Sequence, residues 1–380
     1  MSFFLVLSTA LALGHAWLGW RWLRAARPGP RLRRLLALLL LLGAGAVPAI
    51  WLGLHRLESE VPPLLAGAAF LWMGILFYLV LLQALADLLL LPLSRLRGGP
   101  DPERRRLLAR GACLASAGSA AGIAALGLRS ALGEIELREV VVPLERLPRE
   151  LDGFHLVQVS DLHLGPVLGE AFCRRVAGRL RDLRPDLLVA TGDLVDGPPR
   201  ELAAALAPLG AVPARFGRFA VTGNHEFYAG ARPWLDTLPR LGLEVLANRR
   251  VAVGDDGASF DLAGLHDPTA RAFLPAEAPD PGAILRGRDP GRELVLLAHQ
   301  PRQVEAGLAT GAGLQLSGHT HGGQLQPFGL LTGLVQPYLA GLHRHEGRLW
   351  IYVSRGTGFW GPPLRVLAPA EITSVRLVCA

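Results

Sequence analysis

The 380-residue chain lacks lysine and has only three cysteines. All 39 basic side chains are arginines, which we interpret as codon bias in a GC-rich genome rather than as chemistry. The cysteines, Cys113, Cys173 and Cys379, show no paired spacing. This excludes a thiolate metal site and a disulfide framework as the organising feature, and leaves a single Cys173–Cys379 bridge as an open alternative.

Apolar residues are plentiful and concentrated at the N-terminus. The chain is 51% hydrophobic with a mean hydropathy of +0.32. Four segments, residues 3–22, 35–54, 64–91 and 111–128, each supply the roughly 20 apolar residues that cross a bilayer. We therefore predict a helical membrane region over residues 1–134, with about four spans, and a second domain over residues 135–380.

Two links between these segments are rich in arginine. The first contains Arg31, Arg33 and Arg34, and the second contains Arg104 and Arg105 among others. The positive-inside rule places both links in the cytoplasm, so the chain is predicted to be a multi-pass protein of the cell (inner) membrane with an extracytoplasmic second domain.

Two alternatives bear on these arginines. The run Arg104-Arg105-Arg106-Leu107-Leu108 also fits an internal twin-arginine export signal, which would leave the fourth segment cleaved.

The net charge of +7 and pI near 10.2 are typical of nucleic-acid binding. Because much of that charge lies in the links, we expect nucleic acid not to be a partner.

Five polar clusters in the second domain each follow a short apolar run, namely HLVQVS, DLLVAT, FAVT, LVLLA or LQLS. Such runs predict buried strands, and the carboxyl ends of strands in open α/β sheets meet in one crevice. Glycines at 192, 223 and 318 would allow close backbone approach there. The clusters contain Asp161 and His163, Asp193, Asn224-His225-Glu226, His299, and His319 and His321.

The pattern between the clusters predicts an α/β layered domain. Helices are expected at residues 170–183, 201–209, 233–241 and 302–309, with a surface loop at 267–291. The later strand-like runs SFDLAGL, LWIYVS and EITSVRL indicate a second sheet.

The chemistry of the clusters is that of a metal site. Carboxylate and amide oxygens combined with imidazole nitrogens suit Mn²⁺, Fe²⁺ or Zn²⁺. Alternate residues of an extended chain share one side, so Asp161 and His163 can reach one ion, as can His319 and His321.

Taken in series, the motifs D-x-H, G-D, G-N-H-E, H and G-H-T-H resemble those of the calcineurin-like metallophosphoesterase family over residues 154–321. GHTHGGQ and the closing YVSRGTGFWGPPLR further resemble exported or membrane-tethered bacterial members. The resemblance implies a four-layer α/β/β/α sandwich of mixed sheets. It also implies two divalent ions bridged by Asp193, one held by Asp161, His163 and His321, the other by Asn224, His299 and His319.

The resemblance further implies a hydrolase that attacks phosphodiester or pyrophosphate bonds with a metal-bridging hydroxide. His225 would protonate the leaving oxygen or stabilise charge on the transition state, and Glu226 would orient His225 and keep it protonated, although many relatives carry Asp there. Arg355 is a candidate phosphate ligand, with a salt-bridged arginine as the alternative. A membrane anchor suggests a lipid-linked phosphoester. The rival functions are a non-catalytic phospho-ligand sensor or assembly protein, and a metal-dependent nuclease.

Overall fold

A computed structural model describes residues 2–27, 29–56, 61–95, 101–255 and 257–380. The chain clusters into two units. The helical unit comprises Met1–Leu132 with Gly361–Leu364, and the α/β unit comprises Gly133–Trp360 with Arg365–Ala380. The sequence-based boundary at residues 134 and 135 lies two residues further along. Glu58 and Glu60, which lie between the second and third predicted spans, and Arg97, which lies between the third and fourth, fall outside the described residues.

The described part of the helical unit contains four helices: α1 (Ser2–Ala26), α2 (Pro30–Arg56), α3 (Pro63–Arg95) and α4 (Pro102–Leu132). Within the described residues, three stretches are long and apolar enough to cross a membrane: Pro30–Ile50, Pro63–Leu90 and Glu103–Leu132. This agrees with a predicted membrane region of about four spans.

Polar contacts attach α1 to α3. Arg21 donates from both Nε and NH2 to the Asp87 carboxylate, at 2.8 and 2.7 Å. Elsewhere between the same two helices, Trp72 Nε1 donates to His15 Nε2 at 2.9 Å. In an apolar environment such contacts between helices satisfy polar groups that water would otherwise hydrogen-bond.

The described residues of the α/β unit form twelve strands in two six-stranded mixed sheets. They are β1 (Glu136–Leu144), β2 (Phe154–Val159), β3 (Leu187–Ala190), β4 (Arg218–Ala220), β5 (Glu244–Val245), β6 (Arg249–Asp255), β7 (Ala258–Gly264), β8 (Leu294–Leu297), β9 (Leu314–Ser317), β10 (Gly341–His345), β11 (Leu349–Val353) and β12 (Glu371–Cys379). The first sheet has the order β1-β12-β2-β3-β4-β5, and the second has the order β10-β11-β9-β8-β7-β6.

The assignment of EITSVRL to the second sheet is wrong. This run is β12, which pairs parallel with β1 and antiparallel with β2 in the first sheet. The last strand therefore returns to the sheet that opens the unit. All three cysteines are free, so the open alternative of a Cys173–Cys379 bridge is not realised.

Eight helices follow in the α/β unit: α5 (Glu170–Leu183), α6 (Pro199–Gly210), α7 (Asn224–Tyr228), α8 (Ala231–Arg240), α9 (Ala270–Phe273), α10 (Pro281–Leu285), α11 (Val304–Ala309) and α12 (Gly329–Thr332). The bounds of α5 are those predicted from its apolar face. The region predicted as a surface loop, residues 267–291, contains α9 and α10 because short helical turns carry too little periodicity to be recognised.

The main core lies between the two sheets. Leu156 and Val189 of the first sheet belong to the same buried cluster as Phe260, Val295 and Leu316 of the second. Each fully buried Leu or Val contributes about 1.5–3 kcal/mol through the hydrophobic effect. The helices α5 and α6, which connect neighbouring strands of the first sheet, bury apolar residues, and apolar residues of α10 and α11 share a buried cluster with strands of the second sheet. The layers are therefore helix, sheet, sheet and helix, as predicted.

Candidate metal centre

Five strand ends, three from the first sheet and two from the second, present the polar clusters. Asp161 follows β2, Asp193 follows β3, and Asn224 opens α7 just after β4. In the second sheet, His299 follows β8 and His319 follows β9. Because these strands run parallel within each sheet, their carboxyl ends deliver the side chains to one place.

Much of this backbone is strained. Five of the seven predicted metal ligands adopt a positive φ between 48° and 71°. Non-glycine residues rarely occupy this region, and each instance costs on the order of 1–3 kcal/mol. The surrounding structure must hold them there, as expected where side-chain direction serves a function. These residues are Asp161, His163, Asp193, His319 and His321.

Glycines make the close approach possible. A Cβ on Gly223 would lie 2.1 Å from Asp193 Oδ1, and a Cβ on Gly318 would lie 2.2 Å from Asp161 Oδ2. Any side chain at either position would displace a carboxylate of the site. This confirms the interpretation of these glycines as positions of close backbone approach.

His299 presents a lone pair to a carboxylate. Its Nδ1 donates to the Thr191 carbonyl oxygen at 2.7 Å, so Nε2 is the unprotonated nitrogen of the neutral ring. Nε2 is buried without a hydrogen bond and lies 3.1 Å from Asp193 Oδ2. Burial lowers the pKa of His299, but the charge of Asp193 outweighs burial and raises it well above its usual value. The position thus favours a proton or a cation.

The ring nitrogens of His163 and His321 face each other near the Asp161 carboxylate. His163 Nδ1 lies 2.8 Å from Asp196 Oδ1, while its Nε2 faces His321 Nε2 at 3.0 Å. His321 Nε2 is also 3.4 Å from Asp161 Oδ1. Because Arg365 NH2 faces His321 Nδ1, His321 Nε2 carries the proton of the neutral ring and can donate it to His163 Nε2, and a cation could take the place of that proton between the two rings and the Asp161 carboxylate.

The residues fit metal ions. Three groups have ligand atoms that all lie within 4.8 Å of one another: Asp161 with His163 and His321, His163 with Asp193 and His225, and Asp193 with His299 and His319. The groups overlap at Asp193 and His163. Asn224 Oδ1, an oxygen of the type that metals accept, is buried without a hydrogen-bond partner next to this cluster. The orphaned acceptors and the shared carboxylate match a centre for more than one cation.

His225 is oriented by Asp196, a residue that the sequence interpretation missed. Its Nδ1 lies 2.7 Å from Asp196 Oδ1, and its backbone N–H donates to Asp193 Oδ1 at 2.8 Å. Burial disfavours the charged ring, but the carboxylates of Asp193 and Asp196 outweigh it and raise the pKa of His225 to about 9. Asp196 lies three residues after Asp193 in GDLVDG, and that spacing was the available signal.

Glu226 makes a different contact from the predicted one. Its carboxylate accepts hydrogen bonds from the backbone N–H groups of Asp193, Leu194 and Gly223, at 3.0, 2.6 and 2.6 Å. Burial, together with the charge of Asp193, raises the pKa of Glu226 to about 7. Glu226 therefore fastens the loop that carries Asp193, and Asp196 makes the contact with the His225 ring.

The two arginines near His321 are both engaged by protein groups. Arg355 Nε donates to Glu371 Oε2 at 2.5 Å, and its NH2 donates to Glu136 Oε2 at 2.8 Å. Arg365, which is 1% exposed, has NH2 3.2 Å from His321 Nδ1. Burial lowers the pKa of Arg365 to about 10. Arg355 is thus a salt-bridged arginine, which was the alternative to a phosphate ligand. Arg365 is a second residue that the sequence interpretation missed.

Comparison with known proteins identifies relatives of this unit. A model of the calcineurin-like phosphoesterase family matches residues 154–323. The chain is 37% identical over 262 residues to a transmembrane protein with metallophosphoesterase domain from Danio rerio, covering 67% of this chain and 60% of that protein. It is 38% identical over 253 residues to an uncharacterized metallophosphoesterase from Helicobacter pylori, covering 66% of each.

A third relative is covered almost completely. The chain is 32% identical over 244 residues to an uncharacterized metallophosphoesterase from Aquifex aeolicus, covering 64% of this chain and 92% of that protein. By contrast, the chain spans 60% of the length of the Danio rerio relative.

Proposed function

Because the chain belongs to the calcineurin-like phosphoesterase family, and is thus a metal-dependent phosphoester hydrolase, we propose that it cleaves phosphodiester or pyrophosphate bonds. The observation that carries the proposal is Asp193, which lies in two of the overlapping ligand groups and thereby links His163 to His299 and His319. A shared carboxylate is what two neighbouring cations require.

Seven side chains would hold the two ions. Asp161, His163, Asp193 and His321 would hold one, and Asp193, Asn224, His299 and His319 would hold the other. Mn²⁺, Fe²⁺ and Zn²⁺ suit this mixture of oxygen and nitrogen donors. When bound, two such ions acidify the attacking water and neutralise charge on the phosphoryl oxygens.

His225 would act on the leaving group. Its Nδ1 is engaged by Asp196, which fixes the ring and leaves Nε2 as the nitrogen that donates a proton to the departing oxygen. His225 is 16% exposed at its side chain, so a substrate can reach it. Glu226 would support the same site indirectly, by fastening the Asp193 loop.

The helical unit supplies the location. Its three apolar helices and the transmembrane relative support membrane association. We propose the inner membrane, with the α/β unit on the extracytoplasmic side, since Arg31, Arg33 and Arg34 lie at the start of α2 and Arg104 to Arg106 lie at the start of α4. A phosphoester carried by a lipid is the substrate that this location favours.

Hydrolysis of two chromogenic esters tests the proposal. Full-length protein in detergent micelles would be assayed on bis-p-nitrophenyl phosphate and p-nitrophenyl phosphate with Mn²⁺, Zn²⁺ or chelator. We expect metal-dependent cleavage of the diester that falls about 10²- to 10⁴-fold in His225→Ala, with bound metal unchanged by elemental analysis.

His343→Ala is the matched control, since His343 lies on β10 outside the ligand groups, and it should keep wild-type rates. If neither ester is cleaved while both ions remain bound, the proposal fails in favour of a phospho-ligand binding protein. Diesterase activity that His225→Ala retains would remove His225 from the mechanism.

A further inference from the structure

One surface loop of the α/β unit is apolar and exposed. We define the apolar loop as residues 326–339, which include α12. No charged residue occurs between positions 322 and 342, in a chain with 39 arginines. A contiguous exposed apolar surface of this kind marks an interaction site. Its exposed side chains are Phe328 (43%), Leu330 (75%), Leu331 (58%), Leu334 (80%) and Val335 (69%).

Both ends of the apolar loop are fastened to the turn that carries the metal-ligand histidines. Gln326 Nε2 donates to the Gly322 carbonyl oxygen at 2.9 Å, directly after His321. At the other end, Thr320 Oγ1 donates to the Leu339 carbonyl oxygen at 2.6 Å. Whatever the apolar loop binds is therefore held beside the candidate metal centre.

The exposed apolar surface extends to a neighbouring segment. Leu367 is 87% exposed, and Val366 before it forms a parallel bridge with Leu325 at the start of the apolar loop. The exposed apolar surface therefore continues from the apolar loop onto the segment bridged to it.

Aromatic side chains lie beside the His225 ring of the candidate metal centre. The Tyr228 ring lies 5.3 Å from the His225 ring and 5.6 Å from the Phe273 ring, centroid to centroid. Tyr228 and Phe273 are each 51% exposed. A phosphate at the metal centre would therefore have exposed aromatic surface near His225, in addition to the apolar loop that is fastened beside His321.

We infer that the apolar loop inserts into the interface of the bilayer that the helices span, and that the centre beside it takes a phosphoester borne by a lipid. This rests on the proposed phosphoesterase function. Covalent attachment to the membrane helices keeps the loop at a high effective concentration near lipid, so a modest apolar surface is enough for docking. Exposed aliphatic side chains without charge suit the acyl boundary better than a polar partner surface.

A pair of substrates with the same leaving group tests the inference. One is bis-p-nitrophenyl phosphate, which is water-soluble. The other is dioleoylglyceryl p-nitrophenyl phosphate in phosphatidylcholine vesicles. In both, water cleaves the P–O bond to p-nitrophenolate, so absorbance reports both reactions. The enzyme would be the full chain reconstituted into the same lipid.

We expect Leu331→Glu/Leu334→Glu to lower kcat/KM for the lipid ester at least tenfold and to change kcat/KM for the soluble ester less than twofold. Leu285→Glu is the matched control, because Leu285 is an exposed leucine (43%) at the end of α10, and it should affect neither. If the double variant keeps full activity on both esters, the inference fails and the proposed function stands. If wild type cleaves neither ester, the proposed function fails.

Insertion itself is measured independently of activity. A nitroxide would be attached to Leu334→Cys in a Cys113→Ala/Cys379→Ala background, in lipid nanodiscs, and its collisions with oxygen and with aqueous nickel chelate compared by electron paramagnetic resonance. We expect oxygen accessibility to dominate at Leu334, and nickel accessibility to dominate at Ala171→Cys on the exposed face of α5. Nickel dominance at Leu334 overturns the inference. Shielding from both reagents also overturns it, since a protein partner would then cover the loop.

Discussion

The two units of the chain place their apolar side chains in opposite ways. In the helical unit, leucines such as Leu41, Leu64 and Leu89 are 70%, 85% and 68% exposed. In the α/β unit, leucines such as Leu156 and Leu316 are fully buried between the sheets. Burial of apolar surface stabilises a fold only in water, so the two patterns indicate two different solvents.

Their buried polar groups differ as well. In the helical unit, Arg21 meets Asp87 and His15 meets Trp72 in pairs that connect two helices. In the α/β unit, polar groups gather at strand ends, and acceptors such as His299 Nε2 lack a partner. Paired groups serve packing, whereas unpaired acceptors indicate a ligand. Substitutions in the two units should therefore affect different properties.

The largest effect is expected at the shared carboxylate. Asp193→Ala removes an oxygen donor from two overlapping ligand groups, so both ions should be lost. Substitution of a residue that only supports a metal ligand lowers activity by up to about 100-fold, and the loss of Asp193 should lower hydrolysis by more than that. Elemental analysis and diester hydrolysis provide the measurement. Asp236→Asn, at an exposed position of α8, is the control. A variant that retained both ions would contradict the assignment of Asp193.

A smaller effect is expected at Asp196, which holds two histidines rather than an ion. Its Oδ1 lies 2.8 Å from His163 Nδ1 and 2.7 Å from His225 Nδ1. Asp196→Asn keeps the shape but weakens both contacts, and about a 10- to 100-fold loss of activity is expected, with metal retained at high concentration. Metal titration of the rate distinguishes the two histidines. If saturating metal restored the wild-type rate, the His225 contact would be unimportant.

Arg355 should affect stability more than catalysis. Its ion pairs with Glu371 and Glu136 join the loop after β11 to β12 and β1. Arg355→Ala is expected to lower the free energy of unfolding by about 2 kcal/mol, below the 3–5 kcal/mol of a fully buried pair, because Tyr352 still donates to Glu371. KM for the diester should stay within twofold. A tenfold rise in KM at unchanged stability would instead restore Arg355 as a phosphate ligand.

The sequence was sufficient to predict the layers and the convergence of the clusters. Each cluster follows a short buried strand, and parallel strands leave little choice about where their ends meet. The bounds of α5 were also predictable, since Phe172, Val176 and Leu180 recur at helical spacing and are buried. In these cases local pattern and tertiary structure agree.

Other features depend on contacts that a local pattern does not contain. The position of β12 in the first sheet follows from long-range pairing with β1 and β2. The contact of His225 with Asp196, rather than with Glu226 beside it, arises because the short helix α7 turns the Glu226 carboxylate toward backbone N–H groups. Neighbours in sequence are therefore poor guides to partners at a strand end.

The smallest effect is expected in the helical unit. Arg21→Leu and Asp87→Leu each remove one partner of a half-buried ion pair between α1 and α3, and each should destabilise the unit by about 1 kcal/mol, as for polar contacts between membrane helices. Because the double variant leaves no unpaired charge, it should be no less stable than either single variant. Thermal unfolding in one detergent, compared as a double-mutant cycle, measures the coupling. Hydrolysis of soluble diester should remain unchanged in all three variants. If the losses of stability in the two single variants were additive in the double variant, the pair would not attach α1 to α3.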